Sequence, residues 1–254
     1  MANISTKALQ MPASAIRKLV PLADAAKKQG TKVYHLNVGQ PDIKSPKCAL
    51  DAIRNFDAVN VSYSHSAGLM ELRKGLVEKY YKKIGIDITV DELIVTVAGS
   101  ESVNLALEIA CNPGDEVLVL EPFYTNYNTF AFMNGLTLKA IPTDIRKGFQ
   151  VPPIEEFEKA ITDKTKAILV CNPGNPTGTQ YSKESMLALG EIARKHDLFL
   201  LSDEVYREFC YTDEPHFSAM NIPGLEQNVV LIDSVSKRYN LCGARVGCII
   251  SHNK

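Results

Sequence analysis

The chain has 254 residues, of which 45% are hydrophobic and 22% are charged, and its net charge is -1. This length can bury a large core, and the near-zero charge argues against nucleic-acid binding, because a basic surface would need an equally strong acidic one elsewhere. No apolar run approaches a membrane span, and residues 1–10 lack a hydrophobic signal core. Six cysteines without metal-ligand spacing predict reduced core thiols in a cytoplasmic protein.

The first part of the chain is predicted to be mainly helical. Apolar residues at helical spacing predict a helix over 13–29, which Pro21 kinks or divides. A short strand is predicted over 32–38, and it leads into a tight turn where Gly39 lets a ligand approach the backbone. Two further helices are predicted over 45–57 and 69–84.

From residue 92 onward the pattern alternates between strands and helices. Seven apolar runs predict buried strands at 92–97, 116–120, 136–140, 165–171, 198–202, 229–232 and 246–251. Helices are predicted at 101–111, 123–134, 153–161 and 183–196. The alternation predicts an α/β fold with one doubly wound, mostly parallel sheet and helices on both faces. The last link is too short for a crossover helix, so the seventh strand is predicted to be antiparallel.

Polar residues follow the ends of these strands, at the edge where α/β sheets place their ligands. Tyr124 follows the second strand, Asn175 projects from a rigid turn after the fourth, and Asp203 and Tyr206 follow the fifth. A serine-rich turn that presents Lys237 follows the sixth. This convergence on one edge indicates a functional site.

An anion site is predicted near the same edge. The small-residue turn at Gly99 and Ser100 leads from the first strand into a helix, and a helix start combines free backbone N–H groups with a positive dipole end. Arg245 lies between two glycines just before the seventh strand, so a second cation flanks the same sheet edge as Lys237. Strand–glycine–helix junctions are common, so this feature alone is weak.

Two chemistries fit the motif Ser234-x-x-Lys237, although a single such motif is also typical of a solvated surface lysine. A serine acyl-enzyme would need Ser-Asp-Asn and Lys-Thr-Gly companions, and only Ser-Asp-Glu at 202–204 and Lys-Thr-Lys at 164–166 are present. A lysine that forms an imine with a carbonyl cofactor would need an acid and a phosphate site, which the strand ends supply. A nucleotide-binding module is disfavoured because no Gly-x-Gly-x-x-Gly follows a strand.

Five segments resemble the class I aminotransferases of the aspartate aminotransferase family, which are fold-type I pyridoxal-phosphate enzymes. They are 37–42, 63–73, 172–178, 202–206 and 234–247, and the last, S-x-S-K-x-x-x-x-x-G-x-R-x-G, is highly specific. The resemblance implies a homodimer that transfers an amino group from an α-amino acid, aspartate first, to a 2-oxo acid such as 2-oxoglutarate by a ping-pong mechanism. Aromatic or alanine aminotransferases, β-lyases and an inactive cofactor-binding fragment remain alternatives.

The resemblance also implies roles for individual residues. Lys237 would hold pyridoxal 5'-phosphate as an imine and move a proton between substrate and cofactor, while Asp203 would keep the pyridine nitrogen protonated. Tyr206 and Asn175 would hydrogen-bond the phenolic oxygen of the cofactor, and Tyr124 would stack on its ring.

The implied phosphate ligands are Gly99, Ser100, Ser234, Arg245 and, from a neighbouring subunit, Tyr63. Gly39, through its backbone, and Asn175 would contact the substrate, and no metal ligand is implied.

The resemblance divides the chain into residues 1–45, a part of the small domain, and residues 46–254, the large cofactor-binding domain. Members of the family are considerably longer. We therefore expect a truncated chain without the C-terminal part of the small domain and its carboxylate-binding arginine. Little or no transaminase activity is expected from the chain as given.

Overall fold

A computed structural model of the protein describes residues 2–14 and 16–253. The N-terminal part holds four helices: α1 (Thr6–Gln10), α2 (Val20–Lys28), α3 (Lys47–Arg54) and α4 (Met70–Lys79). Pro21 lies in the first turn of α2, where a missing N–H has no cost, and a 3-10 helix over Arg17–Leu19 precedes it. The helix predicted over 13–29 is therefore divided at its proline, and Ala15 lies outside the described residues.

The strand predicted over 32–38 is wrong. These residues have no regular structure, and the side chain of Leu36 is 96% exposed. A strand forms only beside a hydrogen-bonded neighbour, and none of the described strands pairs with this segment. The segment therefore has no strand partner within the described chain.

The seven predicted strands are confirmed, each within two residues at both ends. They are β1 (Leu93–Thr96), β2 (Glu116–Glu121), β3 (Thr137–Pro142), β4 (Thr165–Cys171), β5 (Phe199–Asp203), β6 (Val229–Ser234) and β7 (Gly247–Ile250). The spatial order is β1-β7-β6-β5-β4-β2-β3. As predicted, β7 is antiparallel to both neighbours, and the other pairs are parallel.

Helices cover both faces of the sheet. On one face, α5 (Ala98–Ala110) and α6 (Asn126–Met133) bury Val103, Leu107 and Ala131 against the strands. On the other face, α7 (Ile154–Ala160) and α8 (Lys183–Lys195) bury side chains such as Met186 and Leu189. The mostly parallel sheet is thus buried on both sides, as its nearly continuous apolar strands require.

The remaining helix, α9 (Val235–Arg238), is a single turn after β6. Short 3-10 helices complete the described elements at Tyr81–Ile84, Val90–Glu92, Ile145–Lys147, Ala219–Asn221 and Cys242–Ala244. Of the six cysteines, which are free thiols, Cys248 is buried while Cys48 is exposed, so the expectation of core cysteines is only partly met. Among the described residues no helix is long and apolar enough to cross a bilayer.

Candidate active site

The polar residues singled out in the sequence gather at the carboxyl ends of β4, β5 and β6. Asp203 is paired in register with Cys171 of β4 and with Ile232 of β6. Asn175 follows β4 by four residues, and Lys237 lies three residues beyond Ser234, where β6 ends. Parallel strands bring these ends to one edge of the sheet, so side chains from three separate parts of the chain lie at that edge.

Asp203 is the buried acid of this edge, with only 5% of its surface exposed. The Tyr127 hydroxyl donates a hydrogen bond to its Oδ2 at 2.7 Å, and the Val205 N–H lies 3.3 Å from Oδ1. Burial raises the pKa of Asp203 to about 6, although the hydrogen bond from Tyr127 opposes the rise. A buried carboxyl in this state is stabilised by any cation placed beside it.

Lys237 projects towards the N-terminal turn that contains Gly39. Its Nζ donates to the Gly39 carbonyl oxygen at 2.7 Å and lies 5.8 Å from the centroid of the Tyr206 ring. The Asn175 Nδ2 donates to the Tyr206 hydroxyl at 3.3 Å. Burial, together with the nearby Cys171 and Asp203, raises the pKa of Tyr206, which therefore stays a neutral hydrogen-bonding group. The structure thus brings Gly39, Asn175, Tyr206 and Lys237 together.

The start of α5 lies beside the turn after β6. Helix α5 begins at Ala98, three residues before its predicted start, and Ala98 itself has a left-handed φ of 63°. Gly99 and Ser100 are therefore in the first helical turn, where backbone N–H groups lack helical partners. A Cβ on Gly99 would lie 3.7 Å from that of Ser234, so this first turn faces the Ser234 turn.

Ser234 and Arg245 meet different partners in the structure. The Ser234 hydroxyl caps α9, accepting from the Ser236 N–H at 3.1 Å, and lies 3.1 Å from the Val246 carbonyl oxygen. Arg245 is exposed, has φ 55°, and donates from Nη1 to the Cys242 carbonyl oxygen at 2.9 Å. A hydroxyl, a guanidinium and a helix start can together hold a dianion.

Tyr124 is half-buried at the mouth of the site. Its ring meets that of Tyr127 edge to face at 5.4 Å, and its hydroxyl accepts from Asn126. Burial and the charge of Asp203 raise the pKa of Tyr124, while the charges of Arg17 and Arg245 lower it. All three charged side chains are therefore close enough to Tyr124 to affect its ionisation. Tyr63, by contrast, is fully exposed and contacts none of these residues.

This arrangement does not suit a serine nucleophile. The Lys237 amine is directed to Gly39, whereas the Ser234 hydroxyl is held by Ser236 and Val246. A general base must lie within hydrogen-bonding reach of the hydroxyl that it activates. The structure instead places the Lys237 amine, the buried Asp203 carboxyl and the start of α5 at one edge of the sheet.

Sequence reasoning missed Tyr127, which is 1% exposed and is the direct partner of Asp203. An aromatic residue on the apolar face of a helix is indistinguishable from a core residue until the strand facing it is known. The only available signal is its position three residues after Tyr124, which in the helix predicted over 123–134 would place both rings on one face.

The fold is an α/β domain that places a lysine, a buried carboxyl and a helix start at one edge of its sheet, and comparison with known proteins identifies the family. The family model described as "Aminotransferase class I and II" matches residues 31–254, and the chain belongs to this family.

The aspartate aminotransferase of Thermotoga maritima is 33% identical over 99% of this chain and 66% of that protein, and its solved structure superimposes with a TM-score of 0.91. The aspartate aminotransferase of Thermus thermophilus, solved with maleate, is 32% identical, with a TM-score of 0.89 over 99% of this chain and 65% of that one. An alanine aminotransferase from Pyrococcus furiosus is 33% identical, with a TM-score of 0.87 over 99% and 64%. The chain thus spans slightly less than two thirds of these relatives.

Proposed function

We propose that the chain is the cofactor-binding part of an amino-acid aminotransferase that uses pyridoxal 5'-phosphate. The observation that supports this most directly is the meeting of a lysine amine, a buried carboxyl and an anion-binding helix start at one sheet edge. These groups match the aldehyde, the pyridine nitrogen and the phosphate of that cofactor in chemical type. When bound, pyridoxal phosphate would supply an electron sink that stabilises negative charge at the substrate α-carbon.

The residues of this chain would divide the remaining work. Lys237 would attach the cofactor through its amine and, once released by substrate, move a proton at the substrate α-carbon. Asp203, held by Tyr127, would pair with the protonated ring nitrogen. Tyr206 and Asn175 would hydrogen-bond the phenolic oxygen of the cofactor.

The phosphate would be held by Gly99 and Ser100 at the start of α5, with Ser234 and Arg245. Ser234 would have to turn its hydroxyl away from Val246 to donate to the phosphate. Tyr124 would cover the ring, and Gly39 and Asn175 would contact the substrate.

We propose aspartate and 2-oxoglutarate as the substrates of a ping-pong reaction. Two of the relatives described above are named aspartate aminotransferases, and one of them was solved with maleate, a dicarboxylate of the same length as aspartate. Alanine is the second candidate amino donor, because a relative with equal identity is named an alanine aminotransferase.

We also propose a homodimer in the cytoplasm, with residues 1–45 as a part of the small domain and 46–254 as the large domain. None of the described residues up to 45 is buried, which is consistent with this segment lying outside the core of the large domain. The location is supported by six cysteines that are free thiols.

Reduction with borohydride tests the attachment of the cofactor. We expect pyridoxal phosphate to give a visible absorbance band that borohydride abolishes, and peptide mass spectrometry to place the fixed cofactor on Lys237. Lys237→Arg is the matched control, because it keeps the positive charge but cannot form the covalent bond. Fixation at another lysine, or equal fixation in Lys237→Arg, would contradict the proposal. The rates at which aspartate and alanine bleach the band would then rank the two amino donors.

A further inference from the structure

Four charged side chains are buried together behind the site, on the face of the sheet opposite Tyr127. Glu204 and Asp233 are 0% and 1% exposed, and the side chains of Arg207 and Arg238 are 3% and 5% exposed. We refer to these four residues as the buried ion cluster. Two carboxylates face two guanidinium groups, so the cluster is neutral, as burial of charge requires.

The buried ion cluster connects the ends of the two strands that carry the site. Arg207 Nη2 lies 2.9 Å from Glu204 Oε2, just beyond β5, and 3.9 Å from Asp233 Oδ2 in β6. Glu204 Oε1 accepts hydrogen bonds from Ser202, Ser218 and the Ala219 N–H at 3.0 Å each. Because strand side chains alternate, Glu204 is fixed on one face while its neighbour Asp203 enters the site on the other.

Asp233 and Arg238 enclose the turn that carries Lys237. Arg238 Nη2 donates to Asp233 Oδ2 at 2.6 Å, and the four residues between them run from Ser234 to Lys237. Asp233 also accepts from the Tyr81 hydroxyl and the Ser234 N–H at 2.7 Å each. The Arg238 guanidinium lies 3.7 Å from the centroid of the Tyr80 ring. The ion pair is therefore fixed from both sides.

We propose that Asp233 and Arg238 are positioning residues that hold the Ser234–Lys237 turn in the shape needed for cofactor attachment. Neither side chain is directed to the site, so each acts through the turn between them. A turn closed at both ends keeps the Lys237 amine and the Ser234 hydroxyl at a constant spacing, which lowers the entropy lost on binding. This role rests on the proposed function of Lys237.

Binding of pyridoxal phosphate to Arg238 variants tests the positioning role. Arg238→Met should raise the Kd at least about tenfold and reduce the visible circular dichroism per bound cofactor, because the ring loses a fixed orientation. Arg238→Lys should restore part of both, since it keeps a cation near Asp233. The double variant Asp233→Leu/Arg238→Met removes both charges together, so its thermal midpoint without cofactor should recover. Its Kd and circular dichroism should not recover.

Arg73→Met is the matched control, because its guanidinium is equally buried but binds the Val90 carbonyl oxygen, away from the site. This variant should lose stability while keeping wild-type circular dichroism per bound cofactor. The positioning role is overturned if Arg238→Met binds like the wild type, or if the double variant recovers binding along with stability. If Arg238→Met fails to fold, the double variant decides. Absence of lysine-linked cofactor in the wild type would overturn the proposed function and the positioning role together.

Discussion

Asp203 shows how one residue is shaped by opposing effects. Burial raises its pKa to about 6, while the hydrogen bond from Tyr127 favours the charged form. Without a nearby cation, the Asp203 carboxyl is ionised at neutral pH although its buried environment destabilises the negative charge. A protonated ring nitrogen beside this carboxylate would offset the cost of burying its charge, which would favour cofactor binding.

Replacing this carboxyl should stabilise the protein in the absence of cofactor. The pKa of Asp203 is raised on folding from 3.8 to about 6, so stability is lost as pH rises through this range. Above pH 6 the loss amounts to about 3 kcal/mol. Asp203→Asn should therefore be more stable than the wild type at pH 7, and the difference should vanish near pH 4.

Urea unfolding between pH 4 and pH 8 measures this difference. The exposed Asp213→Asn serves as the control and should show no such pH dependence. A less stable Asp203→Asn at pH 7 would show that hydrogen bonding outweighs burial at this position. The same variant should bind pyridoxal phosphate weakly, which would separate stability from function.

The residues that sequence reasoning found are those that directly follow strands. Lys237, Asp203 and Asn175 stand just beyond apolar runs, so their positions follow from the strand pattern alone. Tyr127 and Arg238 could not be found in this way, because their roles depend on which strand faces them. The local sequence pattern predicts where a residue lies relative to a strand or helix. Which side chain it contacts depends on tertiary packing.

At the scale of elements, β7 packs closely against the start of α5. A Cβ on Gly247 would lie 2.6 Å from the carbonyl carbon of Ala98 and 2.8 Å from the Asp233 carbonyl oxygen. Both are backbone atoms, so an added Cβ could be accommodated only if the backbone of α5 or β6 moved. The missing side chain therefore lets the helix start, β6 and β7 meet behind the proposed phosphate site.

Adding one methyl group at this contact should separate these elements. Gly247→Ala is expected to lower the free energy of unfolding by about 2–3 kcal/mol. Gly243→Ala is the matched control, because an added Cβ there meets nothing within 4 Å. Its unfolding free energy should change by less than about 0.5 kcal/mol. Equal effects of the two substitutions in urea unfolding would contradict this account of Gly247.

The elements themselves were largely predictable. All seven strands and the antiparallel direction of β7 follow from apolar runs and link lengths. The start of α5 lies three residues before the predicted one, and the positive φ of Ala98 at that start, which a residue with a Cβ rarely adopts, has no sequence signal. The strand predicted over 32–38 is wrong for a different reason. The sequence of a segment does not show whether a second strand lies beside it to accept its hydrogen bonds.

At the scale of the whole molecule, residues 2–70 expose many large apolar side chains. They include Leu36, Phe56, Val59, Val61 and Tyr63. An apolar surface of this extent typically marks an interaction site in soluble proteins. It supports the proposed homodimer, in which Tyr63 would reach the phosphate of the neighbouring subunit.

Charge placed on this surface should disrupt the dimer. Val61→Asp is expected to weaken dimerisation at least about tenfold in sedimentation experiments, because an aspartate would be buried without a partner. Ile145→Asp is the control, since Ile145 is a comparably exposed apolar residue outside this region. Weaker cofactor binding by Val61→Asp would be consistent with the shared site. Identical sedimentation of both variants would count against this surface as the interface.

The antiparallel strand β7 also bears on how the chain is made. Among the described strands, β1 pairs with β7 alone, so Leu93 has no strand partner until Ile250 has been synthesised. The parallel strands β2 to β6 can pair with one another earlier, as they leave the ribosome. Until then, the exposed side of β6 is an open edge that another nascent chain could join. Pairing with β7 covers that edge once residues 247–250 have left the ribosome.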